Sequence, residues 1–314
     1  MALQQLNYVI TRLRWMEERE IWPNGLRYLW TDAFGLVLYV SLYRATGDAI
    51  WLSRSQTLVD AVYRVLGRKR GLRIGEEPDR DGQYFHYLSK WIYALMLYGE
   101  YAPGYRDEAI RLAKQIHPQF VVPSRGVIWK MREDLSAPYP GFGYGALDAF
   151  DGYVVYRLLD EDGLAREIAE MEALILESYR WLYIDQDLGL GMMLWLCHFF
   201  PDEPWATRLN QTCTQSLETL WTDKPGYFCR QQGWHDRKFA FTNYGVSLGL
   251  QAQDLWPERV TQLNGFFEDY RSGDEYDSNA ITHVMACASH FPGLFLRNGG
   301  NPTTARPAPI PARQ

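Results

Sequence analysis

The stretch FHYLSKWIYALMLYGEYAPGYRDEAIRLAKQI, residues 85–116, holds two helices of different kinds in succession. Its first part, FHYLSKWIYALMLY, is apolar nearly all round, so a helix built from it must be enclosed by protein on most sides. Its last part, DEAIRLAKQI, puts Ala109, Ile110, Ala113 and Ile116 on one stripe and charges on the other face, which therefore meets water. Between them, APG at 102–104 stops the first helix.

The two kinds alternate along the chain. AFGLVLYVSLY, LGLGMMLWLCHFF, YGVSLGLQA and NAITHVMACASHF have the enclosed character, and LAREIAEMEALILESY repeats the stripe with Leu164, Ile168, Met171 and Ile175. Period-two alternation is scarce, so strands are not expected to build the fold. Periodicity predicts helices near 4–20, 32–45, 48–66, 84–100, 105–118, 147–159, 162–182, 189–199, 204–222, 241–253, 257–270 and 278–290. Their order is outer then inner, six times over. Asp48 is placed to cap one outer helix, and Pro204 and Pro257 stand where a first turn tolerates proline. The pattern is that of an all-α (α/α)6 toroid of six helical hairpins. Inner helices starting near 32, 84, 147, 189, 241 and 278 are unevenly spaced, which favours one closed domain over residues 1–296 rather than a solenoid of equal repeats. The remainder, RNGGNPTTARPAPIPARQ at 297–314, is rich in Gly and Pro and is expected to be a disordered tail.

A net charge of -6 arises from 32 basic and 38 acidic residues without runs of either sign, which sets nucleic-acid binding aside. The start, MALQQLNYVITRLRWMEERE, lacks the build of a secretory signal, and no apolar run approaches ~18 residues. A soluble, cytoplasmic chain with no membrane partner is expected. Cys197, Cys213, Cys229 and Cys287 have no CxxC spacing and read as buried free thiols. NQT at Asn210 has the glycosylation pattern by chance. Aromatic residues make up 15% of the chain, with 12 Trp and 21 Tyr, much of it expected in the core. Such rings offer flat apolar faces with polar edges, suited to lining a concave site.

In a toroid the loops entering the inner helices open at one end. They carry most of the clustered acids here, and PDRDGQYFHYLSKW is the richest. Asp81 precedes the helix and reads as a general acid or base, with His86 and Lys90, four apart on one face, orienting or balancing it. Helix capping is the competing role for Asp79 or Asp81. Asp148 and Asp151 in DAFDGY lie one turn apart, where mutual repulsion raises one pKa; here too capping competes. Asp32 in WTDAFG, Lys130 beside Trp129, and His283 on the last inner helix are further candidates, whereas His290 reads as core. Trp91, Trp129, Tyr144 and Trp234 are candidate stacking surfaces. GxxxxGK and HExxH are absent, and DRD at 79–81 is too common a spacing to imply a cation. No metal or cofactor is expected.

Six hairpins with WTDAFG, DRDGQYFHYLSKW and DAFDGY at their mouths resemble the six-hairpin glycosidase-like superfamily over about residues 5–295. That group includes inverting glycosidases, unsaturated glucuronyl hydrolases and the N-acylglucosamine 2-epimerase fold. The resemblance implies a small-molecule sugar substrate and a glycoside hydrolase in which Asp81, with Asp148 or Asp151, flanks the sugar; wide separation of the pair implies inversion. An epimerase would use His86 and His283. A terpenoid-cyclase-like toroid and a non-catalytic ligand-binding toroid are the alternatives from other classes.

Overall fold

The structure, a computed structural model, describes residues 2–223, 227–229 and 239–296. The expected tail at 297–314 and Trp234 lie outside the described residues. Among those described, the α-helices are α1 (Ala2–Glu18), α2 (Leu29–Thr46), α3 (Ile50–Leu66), α4 (Phe85–Tyr98), α5 (Tyr105–Phe120), α6 (Asp148–Leu159), α7 (Ala165–Ser178), α8 (Asp187–Cys197), α9 (Pro204–Thr222), α10 (Ala240–Ala252), α11 (Pro257–Asp269) and α12 (Ala280–His290). Each corresponds to a helix expected from periodicity. Strands are confined to two-residue pieces: β1 (Gln83–Tyr84), β2 (Val121–Val122), β3 (Gly126–Val127) and β4 (Lys130–Met131).

The even-numbered helices form the inner ring. Each packs on the next, and α12 closes back on α2; α3, α5, α7, α9 and α11 pack outside the inner helix before them, and α1 packs on α12. Burial follows the two sequence patterns. Every residue of α2 from Leu29 to Leu42 is buried, whereas α5 buries only Ala109, Leu112, Ala113, Ile116, His117 and Phe120, a single stripe. Asp48 accepts from the Ile50 backbone N–H at 3.0 Å, and Pro204 and Pro257 occupy the first turns of α9 and α11.

Some boundaries move for identifiable reasons. α2 begins at Leu29 because Asp32 does not cap it; its carboxylate turns instead to Trp22 and Arg27. α7 begins at Ala165 because Asp160 accepts from the Gly163 N–H at 3.0 Å and holds the preceding residues in a turn.

Two features set the width and depth of the ring. α8 and α10 touch backbone to backbone: a Cβ on Gly191 would lie 2.3 Å from the Gly245 carbonyl oxygen, and one on Gly249 2.2 Å from that of Gly191. At the end away from the inner-helix entry loops, a 3-10 turn, Gly293–Leu296, fills the barrel. Tyr93 donates to the Leu294 carbonyl at 2.8 Å, Trp195 donates to the Phe295 carbonyl at 2.8 Å, and the Leu294 N–H reaches Ser41 Oγ at 3.0 Å. Phe295 stacks on Phe34 with centroids 4.9 Å apart. The toroid is thus plugged at one end by its own chain.

The glycine contact is testable by thermal denaturation. Gly249→Ala forces α8 and α10 apart and is expected to lower stability by about 1–3 kcal/mol. Gly265→Ala on α11, where an added Cβ meets nothing within 4 Å, should leave stability unchanged or raise it by up to about 1 kcal/mol.

Candidate active site

The entry loops and first turns of the inner helices converge on a cavity of about 980 Å³. α4 and α6 supply its charged wall. His86 and Lys90 stand one turn apart on α4, and Asp148 and Asp151 one turn apart in the first turn of α6. Matched spacings on neighbouring helices produce two rungs: His86 Nδ1 lies 3.3 Å from Asp148 Oδ1, and Lys90 Nζ donates to Asp151 Oδ1. Lys90, Asp148 and Asp151 are buried, while His86 retains 21% side-chain exposure. With Nδ1 on the carboxylate, His86 Nε2 has no hydrogen-bond partner among the described residues and belongs to a side chain that lines the cavity.

Burial pushes the Asp151 carboxyl above the ordinary carboxylate value; the Lys90 ammonium opposes this, and the charge of Asp148 adds to it. Lys90 also lies 5.0 Å from the centre of the Trp195 ring, so the plug that holds Trp195 indirectly supports the lysine. Rings surround His86: Tyr87 at 4.8 Å, Tyr84 at 5.2 Å, and Trp30 and Trp129 at 6.2 Å between centroids. Tyr28 and Tyr87, both in the cavity lining, are hydrogen-bonded to each other through their hydroxyls.

A flap formed by residues 126–147 covers one side of the mouth. β2 pairs with β3, β4 pairs with β1 in the register Gln83 to Met131 and Tyr84 to Lys130, and the Trp129 N–H donates to the Gly143 carbonyl at 2.9 Å. The flap brings Trp129 and Tyr144 into the lining, both more than a third exposed. Of the residues singled out from sequence, the structure therefore gathers His86, Asp148, Asp151, Trp129 and Tyr144 around one cavity.

The others are placed elsewhere. Asp81 accepts from Tyr139 at 2.8 Å and Lys130 at 3.3 Å, and Lys130 lies 3.8 Å from the Tyr139 ring centre; these contacts latch the flap to β1. Although partial burial pushes the Asp81 carboxyl upward, the hydrogen bonds from Tyr139 and Lys130 hold it below its ordinary value, a poor setting for a proton donor. Neither Asp81 nor Lys130 lines the cavity. Asp32 is fully buried, accepting from Trp22 Nε1 and Arg27 Nη1, each at 2.9 Å; burial raises its carboxyl to about 6 against the pull of Arg27. It positions Arg27, which in turn bonds Gly25 O at 2.9 Å and so shapes the loop before α2. Trp91 is wholly buried and meets Tyr63 of α3 at 6.2 Å, facing the outer ring rather than the cavity. His283 has both nitrogens occupied, by Arg12 at 3.4 Å and the Asp277 carbonyl at 3.1 Å, outside the cavity lining.

A GxSxG elbow is not expected from the sequence, yet its spacing does occur. GVSLG at 245–249 has the spacing of a nucleophile elbow, but it lies within α10, and Ser247 is buried, donating to Asn264 Oδ1 at 2.8 Å. An elbow requires an exposed strand-to-helix turn, so this serine is structural. Lys90 was legible in its spacing from His86, though its partner is Asp151 rather than Asp81. The Tyr28–Tyr87 pair joins residues 59 positions apart and has no local signal. Among the described residues, no group of three or more His, Cys, Asp or Glu side chains is arranged to hold a metal ion.

No protein family and no curated protein matches the sequence. Solved structures do resemble it. A cellobiose 2-epimerase from Spirochaeta thermophila superposes with a TM-score of 0.60 at 13% identity, covering 86% of each chain. An α-1,6-mannanase of glycoside hydrolase family 76 from a Salegentibacter species gives 0.61 at 11% identity, covering 93% of this chain and 100% of that one. The chain shares their (α/α)6 toroid fold. A second family 76 glycoside hydrolase, from a bovine Bacteroides thetaiotaomicron strain, superposes at 0.58 with 13% identity over 88% of this chain and 70% of that one.

His283 generates a stability prediction. Burial, assisted by the charge of Arg12, lowers its pKa to about 4, below the ordinary 6.5. The unfolded chain therefore takes up a proton that the folded one refuses. Its stabilising contribution is complete above about pH 6.5 and is lost as pH falls toward 4, by at most about 3 kcal/mol. Denaturant titrations at pH 7 and 4.5 should show a smaller acid loss for His283→Asn than for the parent chain; an equal loss would contradict the assignment.

Proposed function

We propose that the chain is a carbohydrate-active enzyme, a glycoside hydrolase that binds the reacting end of its substrate in the cavity and runs general acid–base chemistry between α4 and α6. The observation that carries this reading is the pair of rungs, His86–Asp148 and Lys90–Asp151, inside an aromatic cavity. Trp129 and Tyr144 offer faces on which sugar rings can stack. Asp148 orients the imidazole so that Nε2 can take a proton from water, whose oxygen then bonds the anomeric carbon. The imidazolium returns that proton to the departing glycosidic oxygen, while Asp151, ion-paired with Lys90, holds α6 so that Asp148 meets His86. The fold neighbours support this class: one is an α-1,6-mannanase, and an inactive variant of it with two aspartates replaced was studied in complex with α-1,6-mannotriose.

The mannanase differs in one respect. The two aspartates replaced in it are consecutive, whereas no two consecutive aspartates occur in this sequence. Asp148 and Asp151 also share one helix, and Asp81 is tied to the flap, so the opposed carboxylate pair expected for inversion is not the arrangement proposed. A second reading, sugar epimerisation, is favoured by the carboxylate-backed imidazole itself and by the cellobiose 2-epimerase neighbour. It would have to proceed without His283, which is held outside the cavity.

Both readings make His86 and Asp148 essential. His86→Ala and Asp148→Asn are each expected to lower kcat by about 10²–10⁴-fold, measured on oligosaccharides by release of reducing ends for hydrolysis and by appearance of the inverted sugar for epimerisation. Asp81→Asn, which frees the flap, should raise KM several-fold and leave kcat nearly unchanged. Carrying out the reaction in D2O separates the readings: hydrolysis leaves sugar carbons unlabelled, and epimerisation puts deuterium on the inverted carbon. Full activity in His86→Ala would overturn the proposal.

A further inference from the structure

We propose a second carbohydrate-binding surface, formed by Trp181 and Tyr183, that holds the outer units of an oligosaccharide whose reacting end lies in the cavity. The proposal deepens the carbohydrate reading and rests on it. Between α7 and α8 a turn closes at Trp181, whose N–H donates to the Ser178 carbonyl at 3.0 Å, and irregular chain follows from Leu182 to Gln186, with burial that alternates from 181 to 185. Leu182 and Ile184 turn inward; Trp181, Tyr183 and Asp185 turn outward. Trp181 is 84% exposed and Tyr183 74%, and neither ring contacts another aromatic ring among the described residues.

A single exposed aromatic residue is ordinary, but two exposed rings two residues apart offer a platform of the kind that binds by stacking. Asp185, on the same side, adds a carboxylate able to accept from sugar hydroxyls. The platform adjoins the cavity wall along the chain, since Gln186, Leu188 and Gly189 line the cavity. Tyr183 lies three residues from Gln186, a reach of at most about 10 Å. A ligand that fills the cavity and continues past Gln186 meets Tyr183 first and Trp181 next. This order predicts that affinity rises with oligosaccharide length.

Titration calorimetry with gluco-, manno- and uronic-acid-containing oligosaccharides of two to six units tests this. The parent chain should bind a hexasaccharide more tightly than the corresponding disaccharide. Trp181→Ala and Tyr183→Ala should each weaken the hexasaccharide by roughly 3–10-fold and erase most of the length dependence. Trp181→Tyr, which keeps a flat face, should stay within about threefold of the parent. Unchanged hexasaccharide affinity in both alanine variants overturns the platform while leaving the cavity reading intact. Absence of binding by any oligosaccharide overturns both. Concentration-dependent dimerisation of the parent chain that Trp181→Ala abolishes would reassign the surface to self-association and overturn the proposal.

Discussion

The interaction on which the site depends is the buried ion pair between Lys90 of α4 and Asp151 of α6. Removing two charges from water costs several kcal/mol for each, and the pair persists only where both helices hold their angular positions closely. The contact therefore fixes how α4 and α6 face one another. One turn nearer the mouth on α4, the same alignment brings His86 to Asp148. The upper rung, partly exposed to the cavity, is a consequence of the buried lower one.

The rest of the toroid keeps that wall in place. The plug at Gly293–Leu296 holds Trp195, whose ring faces the Lys90 ammonium, so the chain's last described turn reaches the site through one side chain. The glycine contact between α8 and α10 draws another arc of the ring together. Asp81, Lys130 and Tyr139 hold the flap that carries Trp129 and Tyr144 to the mouth. Acidic residues at three inner-helix mouths thus do different work: Asp32 orders a loop, Asp81 fastens a flap, and Asp148 and Asp151 face the cavity.

The fold was legible because its signal is distributed. All-round apolar segments such as 85–98 cannot face water, and their alternation with striped helices leaves few architectures other than nested rings of helices. The site was legible only in part. DAFDGY and the spacing of His86 from Lys90 pointed to the right helix faces, since one-turn periodicity is local. Which carboxylate each cation meets depends on how far neighbouring helices rotate and slide, and that is decided by packing between distant residues. Asp81 illustrates the difference: its place at a helix mouth suggested chemistry, but Tyr139, 58 residues away, claims it. The outward turn of Trp91 and the occupied nitrogens of His283 are likewise tertiary facts with no local signature.

The measurement that tests the account most directly is a double-mutant cycle on the lower rung. Lys90→Met and Asp151→Leu should each destabilise the protein by about 3–5 kcal/mol in denaturant titrations, because each strands a buried charge. The double variant, with both charges gone, should recover most of that stability while showing no turnover. Single variants that are nearly neutral, or a double variant that keeps its activity, would contradict the claim that this pair organises the cavity wall.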